Sequence, residues 1–150
     1  ATPESYLLKA RKASDRLGKD GTLILAIENK LGLKYWAGAP EDHSGKLFQG
    51  LENYPEERGF RTFGRRELTD LLEGSGFTDL EFFYPHPDYK MPERIFSDRT
   101  LPAPGDMGRA VPSYDQDRFV LFDEGLACDS ILSNDAFPLM ANSFLVVCRR

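Results

Sequence analysis

Apolar residues near the start of the chain recur with a helical spacing. Tyr6, Ala10, Ala13 and Leu17 follow one another at intervals of four, three and four residues, which predicts one buried face of an amphipathic helix. Thr2-Pro3-Glu4 precedes this face and is a helix-start signal, because Thr caps free N–H groups and Pro suits the first helical position. Gly18 predicts the end of the helix.

The next apolar run has no alternation. Thr22 to Ile27 holds five consecutive apolar residues, which is typical of a strand covered on both faces in a parallel sheet. We therefore expect this strand to lie in the middle of an α/β layer.

The remaining elements are separated by two long segments without a sustained period, Glu28 to Phe63 and Pro85 to Asp117. Loops of that length in a compact domain are usually either functional or wrongly assigned. Between and after them the patterns predict helices at Arg65 to about Glu73 and Asp123 to Leu132, and strands at Asp79 to Tyr84, Arg118 to Phe122 and Ser143 to Cys148.

Composition excludes several classes of protein. The 150 residues suit one domain, and 41% hydrophobic residues allow a substantial core. The formal net charge of −5 and the lack of a long Lys/Arg run argue against nucleic acid as a partner. No stretch approaches the roughly 20 apolar residues of a membrane span, and the N-terminus lacks the layout of a signal peptide. We therefore expect a cytoplasmic protein.

The two cysteines, Cys128 and Cys148, lie in apolar surroundings and lack C-x-x-C spacing. They are either buried thiols or a disulfide, and an unsecreted chain favours thiols.

Several motifs resemble one protein family. They are Leu17-Gly-Lys-Asp-Gly21, then Thr22-Leu-Ile-Leu-Ala-Ile-Glu-Asn29, then Thr62-Phe-Gly-Arg-Arg-Glu-Leu68 and Leu71-Leu-Glu-Gly-Ser-Gly-Phe77. In this order they resemble the C-terminal half of a class I S-adenosylmethionine-dependent methyltransferase. The strings IENKLGLKYWAGAPEDHSGKLFQGLENYPEERG and FFYPHPDYKMPERIFSD are similar to methyltransferase modules of bacterial polysaccharide and lipopolysaccharide biosynthesis. The resemblance covers nearly the whole chain.

The resemblance implies an α/β fold, the C-terminal half of a Rossmann-like sheet. It implies about three main strands in a mixed sheet, in the order Thr22 to Ile27, Ser143 to Cys148, Asp79 to Tyr84, with the last strand of the chain antiparallel. Residues 1–150 would be one domain, a fragment of a longer methyltransferase or multidomain protein.

The family's cofactor half has no counterpart here, since the 21 residues before Thr22 are fewer than one βαβ unit needs. S-adenosylmethionine would bind the parent protein, with no cofactor expected for this chain alone. The implied partner is a missing N-terminal cofactor-binding half. The strand at Thr22 would keep an open edge that pairs with a second copy unless Arg118 to Phe122 or a loop covers it.

The one G-x-G sequence, Gly74-Ser-Gly76, follows a helix and precedes a strand. A phosphate or nucleoside cradle needs the reverse context, strand then turn then helix. We therefore interpret these glycines as a helix stop.

The first candidate site follows the strand at Thr22. Ligands of open α/β sheets bind beyond the carboxyl ends of strands, which predicts substrate-binding roles for Glu28 and Asn29, with Tyr35 and Trp36 in the loop beyond them. The alternative is that Glu28 and Asn29 cap the next turn and that Trp36 seals a core edge.

His43 is the candidate catalytic residue. It follows Glu41-Asp42, and a carboxylate beside an imidazole can make it a general base near neutrality. Adjacent residues of an extended loop point apart, however, and a solvated surface cluster is the alternative.

Further substrate-binding candidates lie in Tyr84-Pro-His-Pro-Asp-Tyr89, where prolines restrict the backbone of a turn. They are His86, Asp88 and Tyr89, and a purely structural turn is the alternative. Two distant histidines without H-x-x-x-H or cysteine spacing predict no metal site.

The carboxylates near Tyr114, namely Asp115, Asp117, Asp123 and Glu124, could bind sugar hydroxyls or a basic partner, or could simply be hydrated. No nucleophile motif and no Walker loop is present. The expected function is the acceptor-side half of a methyltransferase of surface-glycan biosynthesis, inactive alone. The alternative is a noncatalytic interaction or scaffold module of a glycan-synthesis protein.

Overall fold

The computed structural model describes residues 3–18, 20–55, 59–108 and 117–150. They form an α/β fold with one four-stranded sheet. The helices are α1 (Pro3–Arg16), α2 (Leu33–Trp36), α3 (Arg65–Glu73), α4 (Glu124–Leu132) and α5 (Phe137–Met140). The strands are β1 (Thr22–Glu28), β2 (Asp79–His86), β3 (Arg94–Ser97) and β4 (Ser143–Arg149).

The sheet has the order β1-β4-β2-β3, and every neighbouring pair is antiparallel. The prediction of about three strands in a mixed sheet is therefore corrected. Residues 94–97 lie in a Pro- and Gly-rich segment without alternation, and the sequence therefore predicts a loop where the structure has β3. Pairing with β2, with Tyr84 opposite Phe96, makes this segment a strand.

The core lies on one face of the sheet. The fully buried residues Phe144, Val146 and Cys148 of β4 lie opposite Ile27, Leu25 and Leu23 of β1. Side chains of α1, α3, α4 and α5 join the same cluster, among them Leu68, Leu72, Cys128 and Phe137. Burying this apolar surface, at roughly 25 cal/mol per Å², is the main contribution to the stability of the fold.

Strand β1 is not covered on both faces, which corrects the sequence-based expectation. Exposure alternates along it, and Ile24 is 64% exposed. The core lies on one face of the sheet, so the side chains of β1 that point to the other face are exposed. Among the described residues, only β4 pairs with β1. A run of apolar residues therefore did not mean two covered faces.

Helix α3 ends where the glycines predicted. The N–H groups of Gly74, Ser75 and Gly76 donate to the carbonyl oxygens of Asp70, Leu72 and Glu73. Gly76 has a φ of +95°, in the left-handed region that glycine adopts without strain. The G-x-G sequence thus acts as a helix stop.

Of the strand predicted at Arg118 to Phe122 and the helix predicted at Asp123 to Leu132, the structure contains only the helix. Residues 118–122 are not a strand, although the N–H of Leu121 donates to the carbonyl of Ala37 at 3.1 Å. The predicted short helix is confirmed as α4, whose N-terminus is capped by Asp123 Oδ1 accepting from the N–H of Leu126 at 3.0 Å.

Both cysteines, Cys128 and Cys148, are buried free thiols. The helix-start residue Thr2 and the candidates Tyr114 and Asp115 lie outside the described residues. Within the described ranges, every helix is too short or too polar to cross a membrane.

Candidate functional site

The site is built around the carboxyl end of β1. Glu28, the last residue of the strand, continues the series of Thr22, Ile24 and Ala26, all exposed, yet it is only 3% exposed itself. It is buried because segments around residue 42 and residues 88–90 fold against it. A carboxylate is thus buried on the same face of β1 on which an isoleucine is exposed.

Five charged side chains from four parts of the chain meet there. We name this set the charge cluster. Its members are Glu28, Lys34, Asp42, Asp88 and Lys90. Lys34 Nζ lies 3.0 Å from Asp88 Oδ2 and 3.5 Å from Asp42 Oδ1. Lys90 Nζ lies 3.2 Å from Glu28 Oε1 and 3.0 Å from Asp42 Oδ2. Asp42 therefore contacts both ammonium groups.

Backbone hydrogen bonds hold the loops that carry these groups. Asp88 Oδ1 accepts from the N–H of Lys90 at 2.9 Å. The N–H of Lys34 donates to Asn142 Oδ1 at 2.9 Å. The segments that carry Lys34 and Asp88 therefore have hydrogen bonds besides their ammonium contacts.

Burial and neighbouring charges shift the pKa values of Glu28 and Asp42 in opposite directions. Burial, and then a hydrogen bond with Asp42, raises the pKa of Glu28. Burial opposes ionisation of Asp42, but the hydrogen bond with Glu28 and the charges of Lys34 and Lys90 outweigh it and lower the pKa of Asp42. Glu28 therefore holds a proton more tightly than Asp42 does.

Two tyrosines border the charge cluster. Tyr35 is 4% exposed, and its hydroxyl has no hydrogen-bond partner among the described residues. Burial, followed by the charges of Asp42 and Glu28, raises the pKa of Tyr35, so the phenol stays neutral. Tyr89 is half-buried, and burial and then the Glu28 charge raise its pKa.

Asn29 and Trp36 are next to the cluster without joining it. The buried Asn29 amide donates to the carbonyls of Leu139 and Ala141 at 2.8 and 2.7 Å, and its oxygen accepts from the N–H of Leu31. These bonds fix the exit of β1. Trp36 is exposed, and its indole N–H donates to the Leu31 carbonyl at 3.2 Å.

The two histidines lie apart from the cluster's contacts. The exposed His43 ring packs on Phe60, with 4.8 Å between ring centroids. Glu41 Oε2 accepts from the backbone N–H groups of His43 and Ser44, so this oxygen holds the loop. His86 is half-buried beside a separate cavity of about 20 Å³, and burial lowers its pKa.

The later carboxylates have structural partners. Buried Glu124 pairs with Arg118 and also lines the cavity next to His86. Asp123 caps α4, and Asp117 is exposed.

Sequence reasoning named Glu28, Tyr35, Asp88 and Tyr89, and the structure brings these four together. It missed the roles of Asp42, Lys34 and Lys90. A lysine between apolar residues, as in Leu33-Lys-Tyr-Trp36, was the available signal for Lys34, since a buried ammonium group needs carboxylate partners. Lys90 gave no such signal, because its partners are 48 or more residues away.

Comparison of this chain with protein-family models, with curated proteins and with solved structures finds no match.

Proposed function

We propose that this chain is the acceptor-side half of an S-adenosylmethionine-dependent methyltransferase that acts in surface-glycan biosynthesis. The observation that carries the proposal is the convergence of Glu28, Tyr35, Asp88 and Tyr89 at the carboxyl end of β1. The carboxyl ends of β1 and β2 meet at this edge, because both strands run antiparallel to β4.

The chemistry of these groups suits an acceptor rich in hydroxyl groups. Carboxylates such as Asp88 accept hydrogen bonds from sugar hydroxyls, and the half-buried ring of Tyr89 offers an apolar face with a polar tip. Lys90, whose side chain is 37% exposed, supplies ammonium donors at the solvent side. Methyl transfer depends on holding the acceptor atom in line with the methyl group, so a rigid acceptor site is a large part of the machinery.

The G-x-G sequence at the end of α3 does not offer a nucleotide cradle. The N–H groups of Gly74, Ser75 and Gly76 are bonded within the end of α3 and cannot point at a nucleotide. The proposal therefore assigns only acceptor binding to this chain. The outer edge of β1, unpaired among the described residues, is where a strand of a cofactor-binding half would add.

The test is a pair of NMR titrations of the ¹⁵N-labelled chain, one with S-adenosylmethionine and one with a panel of hexoses and deoxyhexoses. We expect saccharide-dependent shifts at Glu28, Tyr35, Tyr89 and Lys90, and no saturable shift with S-adenosylmethionine. Glu28→Gln should weaken the saccharide response, whereas Glu73→Gln, at an exposed carboxylate at the end of α3, should leave it unchanged. Micromolar S-adenosylmethionine binding, or a panel without any shift at these residues, would contradict the proposal.

The second candidate function is a noncatalytic interaction module. The observation in its favour is a set of exposed apolar side chains on two neighbouring segments. They are Leu47, Phe48, Phe119, Val120, Leu121 and Phe122. Phe119 is 84% exposed, and several of these residues line one groove, which is typical of interaction surfaces.

Substitution separates the two candidates. Phe119→Ser combined with Leu121→Ser should abolish partner capture if the chain is an interaction module, and should leave the saccharide shifts intact if it binds an acceptor. Loss of both responses at once, with the circular dichroism spectrum unchanged, would fit neither candidate.

A further inference from the structure

Three carboxylates of the charge cluster have the spacing of a metal site. One oxygen each from Glu28, Asp42 and Asp88 lies within 4.8 Å of the others. A calcium-sized cation binds oxygen at about 2.4 Å, so oxygens on opposite sides of it lie at most about 4.8 Å apart. The three side chains come from separate parts of the chain and are held by the fold. We propose that Glu28, Asp42 and Asp88 bind an oxygen-preferring divalent cation, which displaces the Lys90 ammonium group.

Tyr35 provides an observation that is independent of the carboxylates. Its side chain is more than nine-tenths buried, and its hydroxyl lacks a hydrogen-bond partner among the described residues. The Tyr35 ring lies beside the cluster, because Lys34 Nζ is 4.9 Å from the ring centroid. A buried hydroxyl without a partner costs free energy, and a water molecule held by a cation would accept its hydrogen bond.

The charges of the cluster favour exchange of Lys90 for a divalent ion. A cation binds carboxylates in their ionised form, and in that form the three carboxylates and two ammonium groups of the cluster carry one negative charge in excess. Replacing the single charge of Lys90 by a double charge makes the site neutral, which removes an uncompensated charge from a buried location. Lys34 is buried and remains with Asp88, whereas Lys90 is partly exposed and can swing into solvent.

The partly exposed side chain of Lys90 lies where an ion enters the cluster. Because its side chain is 37% exposed while those of Glu28 and Asp42 are 4% and 10% exposed, an ion reaches the carboxylates where Lys90 leaves them. A hydrated ion does not need a large pocket, since it sheds water as the oxygens replace it. The inference does not depend on the proposed methyltransferase role, since its readout is metal binding alone.

The experiment is a titration of the full chain with Tb³⁺, which has the coordination preferences of Ca²⁺ and luminesces when a nearby tyrosine is excited. We expect a saturable signal that Ca²⁺, and then Mn²⁺ and Mg²⁺, displace in competition. Asp42→Asn should weaken binding at least about tenfold. Asp70→Asn is the matched control, because that carboxylate is exposed on α3 and pairs with Arg66, and it should bind as the unmodified chain does.

Lys90→Met gives the decisive readout. Removal of the competing ammonium group should tighten Tb³⁺ binding about tenfold. A cluster that only holds the loops together would give no saturable signal in the unmodified chain, or equal binding in Asp42→Asn and Asp70→Asn, and either result overturns the proposal. Unchanged or weaker binding in Lys90→Met overturns the displacement.

Circular dichroism of each variant checks folding. If Asp42→Asn does not fold, the Ca²⁺-dependent rise in Tm of the unmodified chain against Lys90→Met decides the question, with a larger rise expected in the variant.

Discussion

Glu28 and Asp42 share one ammonium group. Lys90 Nζ lies 3.2 Å from Glu28 Oε1 and 3.0 Å from Asp42 Oδ2, and an oxygen of each carboxyl group lies within 4.8 Å of the other. The pair joins the end of β1 to a loop 14 residues further along the chain. Removing either carboxylate leaves each ammonium group that it contacts with one negatively charged partner fewer.

Asp42→Asn should lower the free energy of unfolding by about 3 kcal/mol, because Lys34 and Lys90 both lose a charged partner in a largely buried site. Urea denaturation measures this loss. Asp70→Asn removes an exposed pair with Arg66 and should cost less than about 0.5 kcal/mol. Equal losses in the two variants would contradict the importance of the charge cluster to stability.

The position of the core predicts a contrast between two apolar residues. Phe144→Ala should lower the free energy of unfolding by about 3–5 kcal/mol, because the side chain is fully buried in the core and its removal leaves a cavity. Ile24→Ala should cost less than about 1 kcal/mol, since that side chain is 64% exposed. Denaturant unfolding of both variants tests which face of the sheet is covered, and a large loss in Ile24→Ala would place a covering layer on its face.

The outer edge of β1 predicts self-association, as the sequence analysis also proposed. Thr22 to Ile27 lacks charge and proline, and among the described residues its outer side has no strand partner. We expect a concentration-dependent dimer by light scattering coupled to size-exclusion chromatography. Ile24→Lys should shift it towards monomer, and Leu8→Lys, at an exposed position of α1, should not. A monomer at every concentration would contradict this prediction.

Burial predicts unreactive cysteines. It raises the pKa of both Cys128 and Cys148 to about 11, so little thiolate forms near about pH 8 and the thiols are covered. A chromogenic disulfide reagent should label neither cysteine in the folded chain and both after denaturation. Rapid labelling without denaturant would show that the segment around the labelled cysteine opens, α4 for Cys128 and β4 for Cys148.

The burial of Glu124 predicts that the free energy of unfolding depends on pH. Burial raises its pKa above the ordinary value of 4.5, although the charge of Arg118 acts in the opposite direction. Since the folded state holds the proton more tightly than the unfolded state, the contribution to stability is fully present below pH 4.5 and is lost as the pH rises through the raised value. Tyr84, His86 and Cys128 line the same cavity, and burial raises the pKa of Tyr84 and Cys128, which leaves His86 as the second group relevant at acidic pH.

The free energy of unfolding of Glu124→Gln, measured against pH, should lack this loss. Relative to the unmodified chain, the variant should therefore gain stability as the pH rises above 4.5. His86→Asn is the control for the second group lining the cavity, and it should retain the loss with rising pH. Parallel pH profiles for Glu124→Gln and the unmodified chain would contradict the assignment.

The sequence by itself determined the local elements. Leucines at helical spacing and glycines at the end predicted α3, Asp123 predicted the start of α4, and apolar runs located β1 and β4, because spacing and capping act within a few residues. It also predicted substrate-binding roles for Glu28, Asp88 and Tyr89, and these roles stay predictions.

Only the tertiary structure decided what these elements do. Strand β3 exists because it pairs with β2, β1 has one open face because the core packs on the other face, and Asp42 meets Lys90 across 48 residues of chain. These outcomes depend on contacts between distant segments. A local pattern carries no information about which distant residue will supply the partner, and the charge cluster is therefore a property of the fold.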